Sequence, residues 1–129
     1  MAAPYSLRFE MKKGYLHFRI GGENTPETTR SYVVDVIDIC RKQKCRAILL
    51  EENLEGPRMG VGELMSIVQD LHAEFRAAIH FAAFVDVSPG RSDENMRFVE
   101  DASVNRGAGV AAFQTVAEAE AWLRTQLKA

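Results

Sequence analysis

The polar residues that could do chemistry concentrate in three short stretches, residues 21–24, 51–60 and 86–92, each following a strand-like apolar run. They carry Asn24, Glu51, Glu52, Asn53, Arg58, Asp86, Ser88 and Arg91, with Gly56 and Gly60 among them and Gly62 just beyond the second. Open parallel sheets bind ligands outside the carboxyl ends of their strands, so these stretches would share one rim. On it, Arg58, Arg91 and the backbone N–H groups of residues 60–62 suit an anionic group, held by charge-assisted hydrogen bonds at a helix start. The alternative is that the stretches are polar because they face water. The candidate ligand-binding set is Asn24, Glu51, Asn53, Arg58, Gly60, Gly62, Asp86, Ser88 and Arg91.

A catalytic assembly is harder to build. Acid-base work needs paired titrating groups in contrasting environments, and Glu51 and Glu52, adjacent in an extended segment, point to opposite sides. His17, His72 and His80 fall on three separate elements, without metal-ligand spacing or a nucleophile nearby, and read as surface histidines. The glycines match neither a Walker loop nor Gly-x-Gly-x-x-Gly; they let the chain turn into a helix. Cys40 and Cys45 flank the basic run Arg41-Lys42-Gln43-Lys44. Nearby cations would favour a redox pair, whereas two small core thiols are the plainer explanation, and two thiols alone build no zinc site. No catalytic residue, metal or cofactor is expected. A small enzyme using Glu51, Asp86 and Arg58 is the rival, and a homodimeric structural subunit a third possibility.

These residues must be positioned by secondary structure. Tyr5, Leu7, Phe9 and Met11 alternate with polar residues, as do Leu16, Phe18 and Ile20 after Lys12-Lys13-Gly14, which predicts an antiparallel hairpin. Thr25 and Pro26 suit a helix start. Tyr32, Val33, Val36, Ile37 and Cys40 recur at helical spacing behind them. Residues 47–50 form a short apolar run, as in a strand covered on both faces. Gly56-Pro57 then breaks the chain before a helical pattern at Val61, Leu64, Met65, Val68, Leu71 and Phe75. Residues 79–87 read as a strand, 93–106 as a helix with Met96, Val99 and Ala102 inward, Gly107 as its stop and 110–113 as a last strand. Thr115 and Glu118 fit a capping box ahead of a closing helix bearing Val116, Ala119, Trp122, Leu123 and Leu127. The order ββαβαβαβα predicts an α/β fold: a five-stranded mixed sheet, parallel except at the first strand, with four helices joined by right-handed crossovers.

Composition bounds the function. The chain has 129 residues, 47% apolar and 26% charged, enough for one domain that buries its own core. A net charge of -2 argues against nucleic acid as a partner. The longest nearly apolar stretch, residues 77–85, is far short of the roughly 20 residues of a membrane helix, and the first thirteen residues lack the pattern of a secretory signal. A cytoplasmic location is expected.

Three pieces carry a family resemblance: the helix start Met59-Gly60-Val61-Gly62-Glu63-Leu64, the stretch Phe98-Val99-Glu100-Asp101, and the tail from Phe113 to Trp122-Leu123. With the order of elements, they resemble SpoIIAA-like proteins of the STAS superfamily, grouped by resemblance with lipid-binding Sec14-type domains. The resemblance spans residues 5–127 and implies the fold above. It also implies a non-enzymatic module binding a partner protein or a small anionic or amphipathic, lipid-like ligand. In signalling members an Asp-Ser-Ser-Gly-like stretch carries a phosphorylated serine. The matching stretch here is Pro57-Arg58-Met59-Gly60, and no hydroxyl occurs from residue 51 to 65. Phosphorylation needs an accessible hydroxyl, so that switch does not carry over.

Overall fold

Gly14, at φ 90°, turns the chain between β1 (Tyr5–Met11) and β2 (Leu16–Glu23), which pair antiparallel from Tyr5 opposite Gly22 to Met11 opposite Leu16. There follow α1 (Pro26–Gln43), β3 (Ala47–Glu55), α2 (Val61–Ala78), β4 (Phe81–Asp86), α3 (Asp93–Asn105), β5 (Val110–Phe113) and α4 (Val116–Leu127). The structure is a computed structural model that describes residues 5–105, 107 and 109–128. The fold is α/β, with five strands in the order β1-β2-β3-β4-β5, parallel beyond the first pair, and four helices, as the sequence predicts.

Local chemistry sets the helix ends. The Thr28 N–H donates to Thr25 Oγ1 at 3.1 Å, and Pro26 follows the cap. Lys44, at φ 54°, closes α1 by donating its N–H to the Arg41 carbonyl at 3.2 Å. At α4 only half of the expected capping box forms. Thr115 Oγ1 accepts the Glu118 N–H at 3.2 Å, but the Glu118 carboxylate meets the Thr115 hydroxyl and not its backbone N–H.

Two boundaries differ from expectation. β3 continues to Glu55 because Gly21, Gly22 and Glu23 of β2 pair with Asn53, Leu54 and Glu55. Glu51 and Glu52 end the apolar run but not the hydrogen-bonded ladder, and Leu54 returns to the core; the loop shrinks to residues 56–60. β4 is shorter than residues 79–87, because the Ile79 N–H donates to the Phe75 carbonyl at 2.8 Å and ends α2. The expected helix end at Arg106 lies outside the described residues.

Each crossover advances one strand in the same direction, so a common hand puts α1, α2 and α3 on one face of the sheet; α4 covers the other. On the α4 face Leu49, Ala83 and Val85 bury against Ala119 and Leu123, with the Trp122 ring 6.3 Å from Phe81 and 5.7 Å from Phe113. On the opposite face α1 packs Tyr32, Val36, Ile37 and Cys40 onto Leu16, Phe18, Ile20 and Ile48. α2 behaves differently. It packs against α1 and α3, buries only Ile67 and Ala78 fully, and joins the sheet core through Phe75 and Ala78 near its end, leaving a space over the strands along the rest. Among the described residues no helix is long and apolar enough to cross a membrane.

Candidate functional site

The space between α2 and the sheet is a cavity of about 170 Å³. Interiors normally leave few voids larger than a water molecule, so a space of this size beneath an amphipathic helix stands out. Its floor is Ile48, Leu50, Ala82, Phe84 and Val110; its roof is Leu64, Ile67, Val68, Leu71 and Phe75. The strand period explains the floor, since alternate residues of β3 and β4 share one face. Continuing that period one step brings two acids into the same cavity. Glu52 of β3 and Asp86 of β4 are register partners and both line it.

Glu52 is the most perturbed acid there. Burial foremost, and the neighbouring Asp86, push its carboxyl up to about 7, while a hydrogen bond from the Tyr32 hydroxyl opposes that rise. Tyr32 itself, buried on α1, is held well above the usual phenol range, first by burial and then by the charge of Glu52. Two more polar groups face the same space. Thr29, only 7% exposed, and His72 line the cavity, and neither Thr29 Oγ1 nor His72 Nδ1 finds a hydrogen-bond partner among the described residues. Buried polar atoms are normally paired, so these two are the unsatisfied polar groups of the cavity wall. The ion pair of Arg30 with Asp70, at 2.6 Å, holds the start of α1 beside this part of α2.

Of the residues expected on the rim, Asn24, Arg58, Asp86 and Arg91 do line the cavity. Arg58 and Arg91 are exposed at its opening. The loop bearing Arg58 meets the start of α3, with the Asn95 side-chain amide donating to the Met59 carbonyl at 2.9 Å. Arg91 donates to the Asp86 carbonyl and to Gln114 Oε1.

The other expected residues are elsewhere. Glu51 points to the opposite face, with Oε1 2.9 Å from His17 Nε2 and 3.6 Å from Arg19 Nε; Asn53 shares its parity on β3 and is exposed. Ser88 is buried and structural. Its Oγ accepts the Leu54 N–H at 2.8 Å, and its own N–H donates to Asp86 Oδ1 at 2.9 Å, which orients that carboxylate. Gly60 caps α2, but its N–H already donates to Glu63 Oε1, and Gly62 is exposed and off the cavity. The backbone cradle for an anion at residues 60–62 is therefore filled in part by the chain's own carboxylate. Nor can Glu51, Asp86 and Arg58 share one reaction centre, because Glu51 is across the sheet.

Two further expectations change or sharpen. His17 is a buried strand residue, 3% exposed, and not a surface one; His72 faces the cavity, and only His80 is exposed. Cys40 and Cys45 are both buried and free, and burial pushes the Cys40 thiol to about 12, the reverse of what a reactive thiolate requires. Among the described residues no cluster of three His, Cys, Asp or Glu could hold a metal ion.

No family model and no curated protein matches this chain. The site stands on its own geometry.

The sequence did contain signals for the residues left out of the expected set. Period two places Glu52 with Ile48 and Leu50. Helical spacing puts Thr29, Tyr32 and Val33 on one face of α1, and His72 falls one position after the inward Leu71. What pattern alone lacks is the stand-off of α2, which turns these inward positions from packing into lining.

Proposed function

We propose that the protein is a STAS-like binding module whose cavity holds one small amphipathic molecule. The apolar body of the ligand lies between α2 and the sheet, and its polar end reaches the opening at Asn24, Arg58, Asp86 and Arg91. The observation that carries this reading is the combination of an apolar-walled cavity with buried polar atoms that have no partner among the described residues. Small-molecule sites are typically concave and largely apolar, with a few convergent polar groups that fix orientation. The pairing of floor and roof residues from four elements makes it a product of the whole fold, and Arg58 and Arg91 supply attraction for an anionic group.

Titration with 8-anilinonaphthalene-1-sulfonate, an apolar anion, tests it. Saturable binding to the folded protein is expected, weakened by Arg58→Ala and Arg91→Ala and abolished by Ala82→Leu, which fills the floor. Fluorescence that Ala82→Leu leaves unchanged would show that the dye sits elsewhere and would refute the cavity as the site.

A further inference from the structure

Charges of both signs line the same opening without meeting. Glu52 and Asp86 form one wall, as register partners on adjacent strands; Arg58 and Arg91 come from the two loops above. Among the described residues none of the four makes an ion pair with another. Both acids are half-buried, and a partly desolvated carboxylate without a cation is costly. Here the fold keeps the opposite charges apart. Ser88 holds Asp86 by one oxygen, Tyr32 engages one oxygen of Glu52, and Arg91 is occupied by the Asp86 carbonyl and Gln114. The second oxygen of each acid makes no hydrogen bond among the described residues, and the unpartnered Thr29 hydroxyl, nine-tenths buried, lines the same space.

Resting on the ligand-binding reading above, we propose that the polar end of the ligand is zwitterionic. A primary ammonium sits on Glu52 and Asp86, and an adjoining carboxylate or phosphate sits on Arg58 and Arg91. An ammonium has three N–H donors, which suits two carboxylates and the Thr29 hydroxyl. The carboxylate or phosphate suits planar guanidinium forks. A ligand of this kind joins the two separated pairs through its own covalent frame, and its apolar body continues beneath α2. Two sources share this chemistry: an α-amino acid with a large apolar side chain, and a lipid with an ethanolamine phosphate head.

Calorimetric titration separates them with matched probes. The short series is L-tryptophan, 3-indolepropionate, which lacks the amine, and tryptamine, which lacks the carboxylate. The long series is lysophosphatidylethanolamine and lysophosphatidic acid, below their micellar concentrations. In at least one series the zwitterion is expected to bind ten times more tightly than its single-charge analogues, and that series identifies the source. Glu52→Gln and Asp86→Asn should weaken the zwitterion at least fivefold and should not weaken the purely anionic analogue, which has no ammonium for them to hold and is repelled by their charge. Arg58→Ala and Arg91→Ala should weaken both. Anionic analogues binding as tightly as the zwitterions would overturn the ammonium site and leave the amphipathic-ligand reading intact. So would a failure of every probe while the naphthalene dye still binds in a manner sensitive to Ala82→Leu. Loss of dye binding as well would overturn both.

Discussion

Glu52 keeps its proton in the folded chain to about pH 7 and gives it up near 4.5 when unfolded. Between those values the folded state binds more protons, so stability falls as pH rises through that window. The cost is absent below about pH 4.5 and complete above pH 7, on the order of 3 kcal/mol at most. Glu52→Gln, which preserves shape and removes the charge, is expected to be more stable than the parent at pH 8 and equal to it at pH 4, as urea denaturation at the two pH values will show. A difference independent of pH would exclude Glu52 as the titrating group. Tyr32→Phe acts on the same carboxyl with opposite consequences. It removes the hydrogen bond that opposes the upward shift, so the pH-dependent window should extend to higher pH, with about 1 kcal/mol of stability lost. That Glu51 and Glu52 face opposite sides was legible here and their partners were not: one meets His17 and Arg19 and the other meets Tyr32.

Helix ends and strand registers make separate predictions at the scale of the element. Lys44 holds a left-handed conformation that costs a residue with a Cβ roughly 1 kcal/mol or more. Lys44→Gly should therefore raise stability by about 1 kcal/mol, and Thr25→Ala, which removes the α1 cap, should lower it by a similar amount. Both are measurable as shifts in the urea midpoint at constant slope. Beneath α2, Ala82→Leu should stabilise by roughly 0.5–2 kcal/mol by occupying the cavity, even as it blocks ligand. Destabilisation by Ala82→Leu would mean that the roof cannot accept the added volume. Most elements could be read from period and caps: Thr25, Pro26, Gly14 and Thr115 each mark an end that the structure places where expected. The end of β3 could not, because its last three residues are held by Gly21, Gly22 and Glu23 of a strand some thirty positions earlier. A hydrogen-bonded ladder ignores the change from leucine to glutamate that ends the apolar run.

Across the whole molecule, α2 should be the least protected of the central elements, since it packs mainly on two helices and reaches the sheet core only through Phe75 and Ala78 near its end. Amide exchange is expected to be faster in residues 61–78 than in β2, β3 and α4, and to slow there on binding of the dye or a zwitterionic probe; equal protection in the unliganded protein would mean that α2 is already docked. The sequence alone determined the α/β class, the order of nine elements, the parallel sheet beyond the hairpin and the rim carrying Asn24, Arg58, Asp86 and Arg91, because period, caps and turns are written in neighbouring residues. Only the tertiary structure decided that α2 spans a gap between α1 and α3. It also decided that Glu51 and Ser88 leave the site while Thr29, Tyr32, Glu52 and His72 enter it. Which side chains share a cavity depends on how far one layer stands from another, and that distance is set by the packing of residues remote in the chain.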